Sequence, residues 1–235
     1  MRKIAMVLML ALSCAVNAGE VGTQTVTTFI QYQVDHAKGA ELAPRVRDVQ
    51  ALIKTGNLDE AEAVAKDLAS SYQVLFDKSV KQYTFQSKAE YEEFKAGTAE
   101  PFEWIDWGYE ECFQMQAFIR SERHDFDGAL GILELTKQLA PISAGIAVEM
   151  GYALNALRRF SEALDSYMHA EALAGKYPSQ RPHLAVALRG KGFALIELQR
   201  LDEAEVAFKS SLEIDPNNKL ALNELGYIKR LRGAN

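Results

Sequence analysis

Cysteine is almost missing from this chain, and the little there is cannot form an internal bridge. Of the two cysteines in 235 residues, Cys14 lies in a stretch with the form of an export signal. Cys112 then remains alone in the apolar pattern of a helix, where a thiol serves as a small buried hydrophobe. Histidine is as sparse: His36, His124, His169 and His183 are scattered, with no pair at zinc-ligand spacing and no cysteine beside them. A P-loop, a dinucleotide fingerprint and a nucleophile elbow are all lacking. Basic residues number 26 against 32 acids, which makes nucleic acid a poor partner. After Val16 no apolar run approaches the roughly 20 residues that a bilayer span needs. The expectations are no catalytic residue, no cofactor, no metal, no nucleic acid, and no stable membrane span once a signal is removed.

What is present begins with MRKIAMVLMLALSCAVNAGE: Arg2 and Lys3, an apolar run from Ile4 to Val16, then the small-residue spacing Val16-Asn17-Ala18 that a signal peptidase reads. Cleavage is expected after Ala18, leaving a periplasmic or secreted protein that starts at Gly19. Loss of Arg2 and Lys3, with no acid, moves the formal charge from -6 to -8. A retained anchor and a lipid on Cys14 are the alternatives. The first is disfavoured by the short run, and the second by Ala11-Leu12-Ser13, which sets the leucine one place off a lipoprotein pattern. The rest, in a chain that is 48% hydrophobic, suffices for one domain with a real core.

That remainder repeats itself. Gly192-Phe193 is followed by Leu195, a polar break at Gln199-Arg200, then Leu201, Ala204, Phe208, Leu212 and Pro216. Apolar positions at three-to-four-residue spacing on both sides of the break predict two amphipathic helices and a tight turn, closed by proline. Gly151-Tyr152 opens the same pattern, with Leu154, a break at Arg158-Arg159, then Phe160, Ala163, Tyr167 and Ala170. Glycine precedes alanine by 12 residues in both, and Gly192 precedes Gly226, as Ala129 precedes Ala163, by 34.

That period, with small residues at the helix crossing and a bulky residue four after the alanine, resembles the tetratricopeptide repeat family. Residues 110–143 look like a further copy, with Ala117 at the glycine position. Residues 220–231 look like a capping helix. An earlier hairpin, Arg45 to Ser70, resembles the motif more loosely. The family's leading tryptophan is replaced by Phe113, Ala147, Leu188 and Leu222, and the interval from Gly151 to Gly192 is 41, the surplus falling in the loop 175–182. The resemblance implies an all-α fold: an α-solenoid of helical hairpins with a C-terminal capping helix and an aromatic-rich helical insert. Its divisions are a signal (1–18), an N-terminal segment and degenerate first hairpin (19–70), the insert (71–109), and a contiguous array with its cap (110–235). Stacking is obligatory because one hairpin cannot bury its own apolar face.

By the family's register, the residue after the small one faces the concave side. This implies one ring per repeat, Phe118, Tyr152, Phe193 and Tyr227, with Gln114, Arg189 and Asn223 one turn earlier and Asn155 and Arg230 one turn later. The rings are either an aromatic ladder that grips a peptide or packing between first helices. The lysine and asparagine clamp that some family members use on a C-terminal carboxylate is not at these positions.

The insert holds or adjoins 12 of the 22 aromatics, between Tyr72 and Phe118, enough for either a local core or an exposed ledge for a peptide or glycan. Ser87 and Glu90 have capping-box spacing before a short helix that Gly97 ends. Glu100-Pro101 is expected to open a helix through Trp104, Trp107, Phe113 and Phe118. Asp106 and Glu110, four apart on that helix, are expected to be solvated. In RHDFDGALGILE, Arg123 to Glu134, a positive charge stands at the first ligand position of a calcium loop, which opposes a divalent cation. Two functions compete: an exported, non-catalytic scaffold that binds a protein or peptide of the cell envelope, or an envelope enzyme or glycan-binding protein with its site in residues 71–118, served by Asp106, Glu110 or Glu111.

Overall fold

The computed structural model describes residues 37–77 and 79–233. The expected signal (1–18), Cys14, the expected terminus at Gly19 and His36 lie outside these residues. The chain opens with helices α1 (Ala43–Lys54) and α2 (Leu58–Gln73), departs into strand β1 (Lys81–Thr84), helix α3 (Lys88–Ala96) and strand β2 (Phe102–Ile105), and returns to helices. These are α4 (Trp107–Glu122) with α5 (Phe126–Leu139), α6 (Ala144–Ala156) with α7 (Phe160–Lys176), α8 (Leu184–Glu197) with α9 (Leu201–Ile214), and a last helix, α10 (Lys219–Gly233). Each packs on the next, so the chain is a solenoid of helical hairpins capped by α10. Although separated by the insert, α2 packs directly on α4, and the degenerate first hairpin is the array's first layer.

The hairpins share one turn. Gly56, His124, Arg158 and Gln199 all have positive φ, 82°, 59°, 61° and 60°, and each is followed by a residue whose N–H reaches a carbonyl five places back. Asn57 to Leu52, Asp125 to Arg120, Arg159 to Leu154 and Arg200 to Leu195 are all 2.9 Å. This is the left-handed helix stop that leaves no final carbonyl unpaired. Glycine takes it without strain in the first hairpin, while the other three positions hold it with a side chain present.

The small glycines at the helix crossing make room for a ring. A Cβ on Gly151 would stand 2.7 Å from the Tyr167 ring, and one on Gly192 would stand 2.6 Å from the Phe208 ring. The room is for the bulky residue four after the alanine, not for Ala163 or Ala204. Tyr167 also spans the layers, since a Cβ on Gly190 would meet its ring at 2.1 Å. Tyr167 and Phe208 are both buried, each contributing roughly 2 to 3 kcal/mol of burial.

The insert corrects one expectation. Residues after Pro101 do not open a helix: Phe102–Ile105 is a strand paired in parallel with Lys81–Thr84, Thr84 opposite Ile105, and the helix begins only at Trp107. Aromatic and β-branched residues favour the pleat, and a proline before a strand reads in sequence like one at a helix start. Asp106 then caps α4, its Oδ1 accepting from Gly108 N at 2.9 Å. The rings form a local core, not a ledge. Phe85 and Trp104 are buried against Ile142 of the array, and Tyr91 lies stacked on Trp104 at 4.8 Å.

The insert meets the array at its other irregularity. The surplus residues between α7 and α8 form a 3-10 turn, Pro178–His183. Buried Gln180 accepts from Ala144 N at the start of α6, at 2.8 Å, and donates to Glu90 of α3 at 2.5 Å. Ser179 donates through its hydroxyl to Glu93, at 2.6 Å. The two departures from the repeat period are therefore one joint.

Candidate functional site

The first helices of the hairpins leave one face open. In α6, buried residues occupy every position except those of one stripe, Gly145, Val148, Glu149, Tyr152, Asn155 and Ala156, and Leu157 at the helix end. The spacing of three and four places this stripe on one side of the helix. In α8 the corresponding stripe is Val186, Arg189, Phe193 and Glu197; in α4 it contains Glu111, Gln114 and Phe118. At the register of the repeats Gly145, Val148, Tyr152 and Ala156 correspond to Val186, Arg189, Phe193 and Glu197 of α8, and the first three to Glu111, Gln114 and Phe118 of α4; Glu149 and Asn155 flank this shared line, and α8 has buried Gly190 and Ile196 at their places.

The residues named from the sequence fall on this face with different freedom. Phe118, Tyr152, Phe193 and Tyr227 are all half-buried. Tyr152 meets Phe126 edge-on at 6.1 Å and Phe193 meets Phe208 at 5.4 Å, so each ring packs by one side and shows the other. Arg230 lies over the Tyr227 ring, 5.9 Å from its centre. Gln114 is engaged inward, donating to Glu110 Oε1 at 2.7 Å. Asn155 donates to the Tyr167 hydroxyl at 3.4 Å, and its Oδ1 is buried with no donor. Arg189 lies 3.5 Å from Asp215, and burial lowers its pKa. Asn223 and Arg230 are exposed.

The sequence did not single out Glu149, Gln50 or the buried status of the insert's acids. Gln50 of α1 donates to Glu111 across the first layers at 3.1 Å. Glu149 stands three residues before Tyr152, and the register that found the ring would also have reached it. Asp106 and Glu110, expected in solvent, are each 1% exposed. The cause is tertiary: Tyr72 of α2 donates to Asp106 at 2.9 Å, and Thr84 of β1 donates to Glu110 at 3.1 Å. Burial pushes Asp106 up to about 6. Burial, then the charge of Glu90, pushes Glu110 up to about 8. Burial takes Glu90 itself to about 7. These carboxylates brace the insert against the array. Cys112 is fully buried and burial pushes its thiol up to about 12, which leaves it protonated and inert. In the stretch tested as a calcium loop, Asp125 caps α5 through Gly128 N at 3.0 Å and pairs with Arg120 at 2.6 Å.

Residues 190–218 match the sequence profile of the family described as tetratricopeptide repeat. The fold is a tetratricopeptide-repeat solenoid. Among solved structures, MamA from Desulfovibrio magneticus RS-1, residues 41 to the end, is similar over 82% of this chain and 86% of its own, with a TM-score of 0.57 and 16% identity. A double mutant, MamA RS-1 ArsTM, gives 0.56 at the same identity over 82% and 85%. The first tetratricopeptide domain of human RPAP3 matches 53% of this chain and 93% of its own at 23% identity, with a TM-score of 0.49. No curated protein matches the sequence. Among the described residues no helix is long and apolar enough to cross a membrane.

Proposed function

We propose that this tetratricopeptide-repeat chain is an exported, non-catalytic scaffold that binds a protein or peptide of the cell envelope along the face lined by its first helices. One observation carries the reading: each hairpin from α4 onward, and the capping helix, places a half-buried ring, Phe118, Tyr152, Phe193 or Tyr227, at the same register of an open face. A ring rigidly held on one side and open on the other is the kind of group that dominates affinity at interfaces. The polar neighbours differ from layer to layer, which suits an irregular peptide more than a repeating polymer. The insert's carboxylates support this division of labour: Glu90, Asp106 and Glu110 accept from Gln180, Tyr72, Thr84, Gln114 and backbone donors, and Asp106 Oδ2, which has no donor, is sealed from solvent.

A photoreactive residue placed at Tyr152 in the producing cell tests the groove, with Leu135 on the exposed side of α5 as the control position. A discrete adduct from position 152 and none from 135 is the expected result. Adducts at both or at neither remove the groove from consideration. Tyr152→Ala and Phe193→Ala are each expected to weaken the crosslinked partner's binding by roughly 2 kcal/mol or more while the helical spectrum is kept. Export is checked separately by N-terminal sequencing of the fractionated protein. A chain that keeps Met1 in the cytosol overturns it.

A further inference from the structure

Among the described residues, most carboxylates that this fold withdraws from water are supplied with donors; Asp106 keeps one oxygen, Oδ2, sealed at the insert without a donor, and Glu149 stands unsupplied on the open face. Glu90 receives Gln180 and a backbone N–H, Asp106 receives Tyr72 and Gly108 N, Glu110 receives Thr84 and Gln114, and Glu111 receives Gln50. Glu149 is half-buried in the α6 stripe and, among the described residues, takes no hydrogen bond and forms no ion pair. Burial alone acts on it, pushing its pKa up to about 7. Six residues on, Asn155 donates its Nδ2 to buried Tyr167 and its Oδ1 is shut off from solvent, so this amide belongs to the packing beneath the stripe. Between them stands Tyr152, whose hydroxyl feels the negative charge of Glu122, at the end of α4, as well as that of Glu149. A partly dried acceptor with no donor is an uncompensated cost in the isolated chain. A carboxylate beside a tyrosine face is what an ammonium or guanidinium group satisfies.

We propose that Glu149 and the ring of Tyr152 form a subsite that takes the cationic end of a lysine or arginine side chain from the bound peptide. This rests on the reading of the open face as a peptide groove and specifies what the groove reads at its second layer. The site is opposite in sign to a clamp for a terminal carboxylate. It also gives the groove a direction, because Arg189 and Arg230 lie in the following layers and favour acidic or polar residues there.

The test is selection of peptides from a displayed random library on the purified chain, run in parallel on Glu149→Gln and Tyr152→Ala. Peptides won by the unmodified protein are expected to be several-fold enriched in lysine and arginine at one position, with the enrichment lost on Glu149→Gln. A synthetic peptide of the winning sequence is expected to bind Glu149→Gln roughly tenfold or more weakly, and Glu149→Lys is expected to turn the preference to aspartate and glutamate. Glu149→Gln keeps the side chain's shape, and an unchanged melting curve confirms the fold. Peptides that depend on Tyr152 but show no basic preference overturn this subsite and leave the groove standing. Failure to select any peptide, or selection indifferent to Tyr152→Ala, overturns both.

Discussion

A glycine in a helix costs about 1 kcal/mol relative to alanine, so one kept inside a helix should answer to a neighbour. Gly190 does: its missing Cβ is filled by the Tyr167 ring from the preceding layer, at 2.1 Å. Gly131 of α5 does not, since a Cβ there would meet nothing within 4 Å. The two therefore move in opposite directions. Gly131→Ala is expected to raise stability by roughly 0.5 to 1 kcal/mol, and Gly190→Ala to lower it by about 1 to 3 kcal/mol as the ring is forced off its rotamer. Urea midpoints for the pair decide it, and parallel shifts would show that Tyr167 is not the interlayer wedge described here. The hairpin stops offer a second residue-scale check. Gln199 holds φ of 60° with a side chain, whose amide donates to Ile196 O at 3.4 Å. Gln199→Gly is expected to gain up to about 1 kcal/mol from relief of the left-handed strain, partly offset by the greater freedom of the unfolded glycine. A loss of stability in the same assay would mean that the side chain matters more than the backbone.

At the scale of elements, the insert and the Pro178–His183 turn form a joint whose buried acids make it sensitive to pH. Glu90 and Glu110 have folded pKa values raised to about 7 and about 8, by burial first, against about 4.3 in an unfolded chain. The folded state therefore binds more protons than the unfolded state between these limits, and unfolding free energy falls as pH rises. The stability tied to the protonated acids is fully present below about pH 4 and is lost by about pH 8. His169 and His183, lowered by burial, act in the opposite sense below neutrality, so the informative quantity is the difference between the unmodified chain and Glu110→Gln. That variant is expected to be more stable by roughly 1 to 3 kcal/mol at pH 8 than at pH 5, relative to the parent. A constant difference across that range would mean that Glu110 is charged in the fold. This joint is also where the sequence was least legible. The hairpins announced themselves through the 34-residue interval, because every copy restates the same apolar stripe. The strand Phe102–Ile105 is four residues long and is defined by its partner some 20 residues earlier, a pairing that no local pattern records. Asp106 and Glu110 read as surface acids because Tyr72 and Thr84, which bury them, come from other elements. On the open face the rings were found from their register, whereas Glu149 was passed over because a glutamate on a helix reads as solvated until its lack of a partner is seen.

For the whole molecule, stability is a sum over neighbours, because each layer supplies the wall that the next one needs. The end of the array shows this most directly. Helix α10 packs on α9 and buries Ala221 and Ile228 completely enough that both are at most 1% exposed. Arg232 ties it back to Asp202, at 2.5 Å, and to Glu205 of α9. Those surface pairs contribute little individually; the apolar seam against α9 carries the attachment. Removing residues 219–235 would open the flank of α9 around Phe208 and Leu212, and Phe208 is at present fully buried. A newly exposed apolar strip of that kind favours self-association, so the truncated chain is expected to melt several degrees lower and to scatter light on heating at concentrations where the parent remains clear. Ile228→Ala separates loss of packing from loss of the helix. It deletes part of the seam but leaves α10 in place, and is expected to cost about 2 to 4 kcal/mol. If the truncation melts with the parent and Ile228→Ala is silent, α10 is a frayed tail and α9 closes the array by itself. If both destabilise and the Tyr152 groove still binds its peptide, the cap serves the stack and not the site, which would place the recognition surface in the layers built on α4, α6 and α8.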